Sequence, residues 1–163
     1  MFRQLWVALQ TCNPIPNSKP GPVVRWVIIF RACVFSMTAT SGLLGIMLAW
    51  RDGYFSWTPA VLVLLGLLIA HAANNILNDL MDYRSGVDTA DYYRVQYSPH
   101  PIHAGWVSPL RLFLVFLFLT FIDFIILVYF CRLRGPSVAA FAVVGFFIST
   151  VYVGGKFSLK FLG

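Results

Sequence analysis

The chain has 163 residues, 59% hydrophobic and only 11% charged, with 12 Lys or Arg against 6 Asp or Glu for a net charge of +6. A soluble domain carries about 25% charged residues, and one this short buries too little surface to hide 15 Phe and 5 Trp from water. An ordinary soluble domain is therefore excluded and lipid is the expected solvent. The basic residues fall at the ends of apolar runs, so they read as orientation signals and head-group contacts, and no nucleic-acid partner is expected.

Residues 1–10 read as an interfacial helix. Pro14, Pro16, Pro20 and Pro22 then interrupt the chain, and residues 1–22 hold no apolar core of the kind a cleaved signal needs. A first span covers 27–50: residues 32–50 carry no charge, Arg31 precedes them, and Arg51-Asp52-Gly53 stops them. Thr58-Pro59 opens a second span, 60–82, with proline near the first helical position. Its last turns become polar at His71, Asn74, Asn75 and Asn78. A polar stretch follows over 83–108, with Gly86, Pro99, Pro101 and Gly105. A third span covers 110–131 and stops at Arg132, Arg134, Gly135 and Pro136. A fourth covers 137–155, ending at Gly154-Gly155-Lys156. The expected fold is all-α: a multi-pass transmembrane bundle of about four helices, forming one membrane domain over 1–163. Cys12, Cys33 and Cys131 are odd in number, far apart and without a Cys-x-x-Cys pair, so they are expected to be small apolar fillers and not a disulfide or zinc framework.

Basic residues set the expected orientation. With a cytoplasmic N-terminus, Arg3, Lys19, Arg25, Arg84, Arg94, Arg111, Lys156 and Lys160 lie inside, while Arg51, Arg132 and Arg134 lie outside. This places the 83–108 loop on the cytoplasmic side of the cell (inner) membrane.

All six carboxylates are Asp, and Asp79, Asp82, Asp88 and Asp91 fall within thirteen residues. Crowded like charges at the end of a membrane helix repel unless a cation joins them. Mg²⁺ suits the site, because it is commonly held by one or two carboxylates together with substrate phosphates. If the second helix continues to about residue 83, Asn75, Asn78, Asp79 and Asp82 recur at three- and four-residue spacing and share one face. Gly86 permits a turn that returns Asp88 toward them. Asn78, Asp79, Asp82 and Asp88 are the expected metal ligands, with Asp79 and Asp82 central to catalysis. Asn75 and Asn78 are also candidates for substrate contact. Against this stands the plainer reading of Asp and Asn as solvated turn formers at a helix end; four Asp and three Asn within eighteen residues of a charge-poor chain favour the site.

A diphosphate also needs positive partners, and the planar fork of Arg94 suits one. His100 and Lys156 are further candidates, and Tyr152 could face a central cavity. Each also has a simpler role, as a snorkelling, head-group-anchoring or packing residue. His103 is equally placed as a loop residue, and Lys160 as a head-group anchor. Asp123 stands alone in the third span, so its partner is expected from another helix.

The run Asn78-Asp79-Leu80-Met81-Asp82, followed by Gly86-Val87-Asp88, resembles the first aspartate-rich motif of the UbiA family of intramembrane aromatic prenyltransferases. The gap between Asp82 and Asp88 is more similar to the dihydroxynaphthoate, or menaquinone, branch than to the hydroxybenzoate one. Arg31 with Ser36 and Gly45 resembles the family's first helix, although Ala32 stands where a proline is usual. Pro101-Ile102, Gly105, Val107 and Ser108 resemble the opening of its third helix, and His100 stands where many members have Arg. The segment from Tyr152 to Lys160 resembles the stretch after the fourth helix. The resemblance covers about residues 23–163.

It implies about nine helices around a cavity open to lipid, with two aspartate-rich motifs that bind Mg²⁺ and a polyprenyl diphosphate. Ionisation of the allylic diphosphate then yields a carbocation that an aromatic acceptor captures. Such chemistry needs a metal and basic groups for the leaving diphosphate and a dry, aromatic cavity for the cation. This sequence carries the first motif and about four helices. The resemblance therefore implies an N-terminal half, either part of a longer protein or one of two chains that complete the bundle. Two other readings compete: a non-catalytic membrane subunit or cation- and diphosphate-binding scaffold, and a small transporter with an acidic vestibule. The transporter predicts polar residues along several spans, and Asp123 is the one carboxylate at mid-span, away from a helix end.

Overall fold

The computed structural model describes residues 1–86 and 99–153. Six α-helices are present among them: α1 (Phe2–Thr11), α2 (Pro22–Ile29), α3 (Phe35–Arg51), α4 (Trp57–Ser85), α5 (Pro109–Arg134) and α6 (Ser137–Val153). A 3-10 turn, Ala32–Val34, leads into α3. The described residues contain no strand, and the architecture is a multi-pass helical bundle. Three helices are long and apolar enough to cross a bilayer: Ala32–Arg51, Trp57–Ser85 and Pro109–Arg134. The shorter apolar helix Ser137–Val153 follows.

Local chemistry sets the helix ends. Ser56 enters α4 in extended backbone, and Gly86 ends it in the left-handed region at φ 66°, where a side chain would be strained. Ser108 caps α5 by accepting the Arg111 N–H at 3.3 Å, and Pro109 takes the first turn, where no donor is missed. The 29 residues of α4 rise about 43 Å, more than the ~30 Å hydrocarbon thickness of a bilayer. About 20 residues from Trp57 suffice to cross, so the turns carrying Asn78, Asp79 and Asp82 fall where the helix leaves the hydrocarbon.

α4 is the central element: α5 packs along it, α3 lies against it on another side, and α6 reaches it as well. Small residues allow the close approaches. Gly42 of α3 sits against Leu64 and Leu67, and Gly66 of α4 against Ile126 of α5. The buried apolar core gathers at one end of the bundle, where Ile29, Ile76, Leu80, Val107 and Leu112 pack together. Beside it, Ala8 of α1 packs on Val24 and Ile28 of α2. Elsewhere Leu44, Phe118, Phe124, Phe141 and Phe147 project outward, as expected of faces turned to lipid.

Two findings depart from the sequence reading. The run expected as one span over 27–50 is divided, because Arg31 adopts left-handed backbone (φ 53°) and breaks the helix between α2 and α3. The three cysteines are also not all apolar fillers. Cys12 and Cys33 form a disulfide with Cα atoms 5.4 Å apart, and Cys131 is the free one. The proline-broken loop after α1 turns the chain back, so that the end of α1 meets the 3-10 turn. A separation of 21 residues thus becomes a contact that sequence spacing does not reveal.

Candidate functional site

Polar residues recur along the second half of α4, and three of them, His71, Asn74 and Asn75, find partners on other elements. Thr38 of α3 shares a 2.7 Å hydrogen bond with His71, whose ring also meets Phe35 edge-on. The Ser149 hydroxyl of α6 donates to Asn74 Oδ1. Asn75 Nδ2 donates to the Phe30 carbonyl at 3.1 Å, at the point where α2 ends. Asn78 Nδ2 donates to Asp82 Oδ2 at 3.1 Å, one turn along α4.

Asp79 and Asp82 lie at the end of this ladder, 3% and 2% exposed. A carboxylate withdrawn from water requires compensation, and Arg31 supplies it for Asp79: its Nη2 lies 2.7 Å from Asp79 Oδ1. The left-handed backbone at Arg31 delivers this side chain toward α4. The arrangement therefore combines two buried carboxylates on successive turns, one arginine fork on the first, and an amide on the second.

His100, 5% exposed, braces the same region. Its Nε2 is 3.1 Å from the Asp79 carbonyl oxygen, and its Nδ1 accepts the Ile102 N–H at 3.3 Å. A carbonyl only accepts, so Nε2 carries the proton. Tyr83 stacks over His100, and His103 packs against both rings. The imidazole thus ties the loop before α5 to the last turns of α4.

The candidate residues are accordingly distributed. Asn75, Asn78, Asp79, Asp82 and His100 are brought together around the end of α4. Tyr152, near the end of α6, is 52% exposed. Asp88, Asp91, Arg94, Lys156 and Lys160 lie outside the described residues. Among the described residues no group of three or more His, Cys, Asp or Glu converges on one point; two of the four clustered Asp belong to the segment outside them. Asp123 lies at the α4–α5 contact close to Gly66, and its Oδ1 is buried without a hydrogen-bond partner among the described residues.

Sequence reasoning passed over the Arg31–Asp79 pair. Its signal was present: Arg31 interrupts an apolar run between Phe30 and Ala32, and a cation in such a run needs an anion. Which anion was decided 48 residues away.

An acidic pair at the end of a membrane helix, faced by arginine, agrees with what comparison finds. The sequence matches the UbiA prenyltransferase family over residues 36–161, a stretch that includes Asp79, Asp82 and the whole of α4. The chain belongs to the UbiA prenyltransferase family. No curated protein and no solved structure matches it. As a UbiA protein it falls in the class of membrane enzymes that transfer prenyl groups to aromatic or lipid acceptors. The acidic run on α4 lies inside the matched stretch. Arg31, five residues before its start, lies outside it and is read from geometry.

Proposed function

We propose that this chain binds a polyprenyl diphosphate with Mg²⁺ through its aspartate-rich segment and serves prenyl transfer to an aromatic acceptor. The spacing of Asp82 and Asp88 favours an acceptor of the dihydroxynaphthoate kind, as in menaquinone synthesis. The observation that carries this reading is the placement of Asp79 and Asp82, buried on successive turns where α4 leaves the hydrocarbon, with Arg31 drawn onto Asp79.

The donor set fits Mg²⁺. This cation commonly takes one or two carboxylates from protein when phosphate oxygens complete its shell, and Asp79 and Asp82 alone supply two. Asp79, Asp82 and the Asn78 side chain are the described residues that would hold it, with Asp88 joining from the segment beyond Gly86. Bound there, the metal supplies positive charge that stabilises diphosphate as a leaving group.

Around it, Arg31 orients Asp79 and is placed to offer its remaining N–H donors to a phosphate oxygen, with Arg94 and Lys156 as further cations. His100 holds the Asp79 backbone in place through Nε2–H. The position rule for basic residues supports a cytoplasmic location for this end, which is the side from which a soluble diphosphate head would arrive.

A scaffold role is the second reading, favoured by the fact that Arg31 and Asn78 already bond to the carboxylates. Calorimetric titration of the full chain in detergent with geranyl diphosphate, with and without Mg²⁺, separates the two. Mg²⁺-dependent binding that disappears in Asp82→Ala supports the diphosphate site. A folded wild-type chain that binds nothing while Asp82→Ala loses thermal stability supports the scaffold.

A further inference from the structure

The far end of the bundle presents a second feature. There the last turns of α3, the connection at residues 54–56 and the first two turns of α4 line an open groove of about 300 Å³, joined by Arg134 at the end of α5. The α4 stretch from Pro59, on the groove, to Asp79 rises about 30 Å, so the two sites are a hydrocarbon thickness apart. Gly45, Ala49, Ala60 and Val63 line the groove with apolar surface, and Tyr54 and Arg134 add polar groups. The space is made by missing side chains: a Cβ placed on Gly45 meets no atom within 4 Å. Trp50, Tyr54 and Trp57 project outward at this level, the ring types that mark head-group depth.

Arg134 is positioned for an anion. Its guanidinium lies over the Tyr54 ring, 5.6 Å from the centroid. A cation–π contact uses none of the guanidinium N–H donors as hydrogen bonds, so they remain to be offered to an anion. The ion pairs among the described residues are Arg31–Asp79 and Arg51–Asp52. Arg132 and Arg134 belong to neither, while Asp52 neutralises Arg51 locally. An apolar groove at head-group depth beside an arginine fork is complementary to an anion that carries a hydrocarbon tail.

We propose that this groove binds an acidic phospholipid of the leaflet opposite the aspartate site. Arg134 holds the phosphate, Arg132 adds to the local positive potential, and one acyl chain lies along Gly45, Ala49, Ala60 and Val63. A zwitterionic phospholipid offers the same chain without net charge, and inorganic phosphate offers charge without a chain. The groove discriminates against both.

The test is native mass spectrometry of the delipidated full chain in detergent. The probes are dioleoylphosphatidylglycerol, dioleoylphosphatidylcholine and inorganic phosphate; the proteins are wild type, Arg134→Gln, Arg134→Lys and Gly45→Leu, each checked for helicity. The expected result is about 5-fold more phosphatidylglycerol than phosphatidylcholine retained, the preference expected from roughly one basic residue at a membrane surface. Arg134→Gln removes that preference, Arg134→Lys keeps most of it, and Gly45→Leu lowers retention by filling the groove. Phosphate alone leaves no adduct. Equal retention of the two lipids by wild type overturns the proposal. So does phosphatidylglycerol retention in Arg134→Gln equal to wild type, or an effect at Arg134 with none at Gly45, which would describe a surface charge without a groove.

Discussion

At the scale of single residues, the aspartate end of α4 depends on one backbone conformation. Arg31 occupies the left-handed region, which few side chains adopt without cost, and the conformation persists because it delivers the guanidinium to Asp79. Removing one member of a buried ion pair strands the other, a loss on the order of 3 kcal/mol. Arg31→Ala is therefore expected to lower the melting temperature clearly in detergent. Combining Arg31→Ala with Asp79→Asn should recover much of the loss, because the remaining group is neutral. A double-mutant cycle measures the coupling, and additive effects would show that the pair contributes nothing. The shared face of Asn75, Asn78, Asp79 and Asp82 was legible in the sequence, since helical spacing alone determines it. The engagement of His100 with backbone on both nitrogens was not, because it depends on how the loop folds back.

At the scale of elements, the N-terminal unit of α1 and α2 is fastened to the bundle by the Cys12–Cys33 disulfide as well as by packing. Closing a loop of this length restrains the unfolded chain by about 3 kcal/mol in the chain-entropy account. Reduction should therefore loosen α1 while leaving the packing of α3, α4 and α5 in place. Limited proteolysis within residues 13–21 is expected to accelerate on adding dithiothreitol, and Cys12→Ser should match the reduced wild type. An unchanged cleavage rate would mean that the Ala8, Val24 and Ile28 contacts hold α1 unaided. The same unit shows why an apolar run did not become one helix. Residues 27–50 read as continuous by hydropathy, yet the single charge at Arg31 was enough to divide them once Asp79 drew it across.

At the scale of the whole molecule, α4 is long and apolar enough to cross the bilayer and carries different chemistry at its two ends. In a Cys131→Ser background, single cysteines at Ser56 and Ala104, both exposed, should react with a membrane-impermeant maleimide from opposite sides of sealed vesicles. Labelling of both from one side would refute the transmembrane path of α4. If Ala104 reacts only from the cytoplasmic side, the orientation inferred from the basic residues also holds.

Solvent class and helical architecture were readable from composition and from runs of uncharged residues, because lipid admits few alternatives to helices. The acidic face of α4 was readable because 3.6-residue periodicity is local. The tertiary structure decided which groups meet: Arg31 with Asp79, Cys12 with Cys33, Ser149 with Asn74, and Asp123 with the gap at Gly66. Those contacts depend on where turns redirect the chain and how closely glycines let helices approach. They join residues far apart in sequence, and no local pattern specifies such pairings.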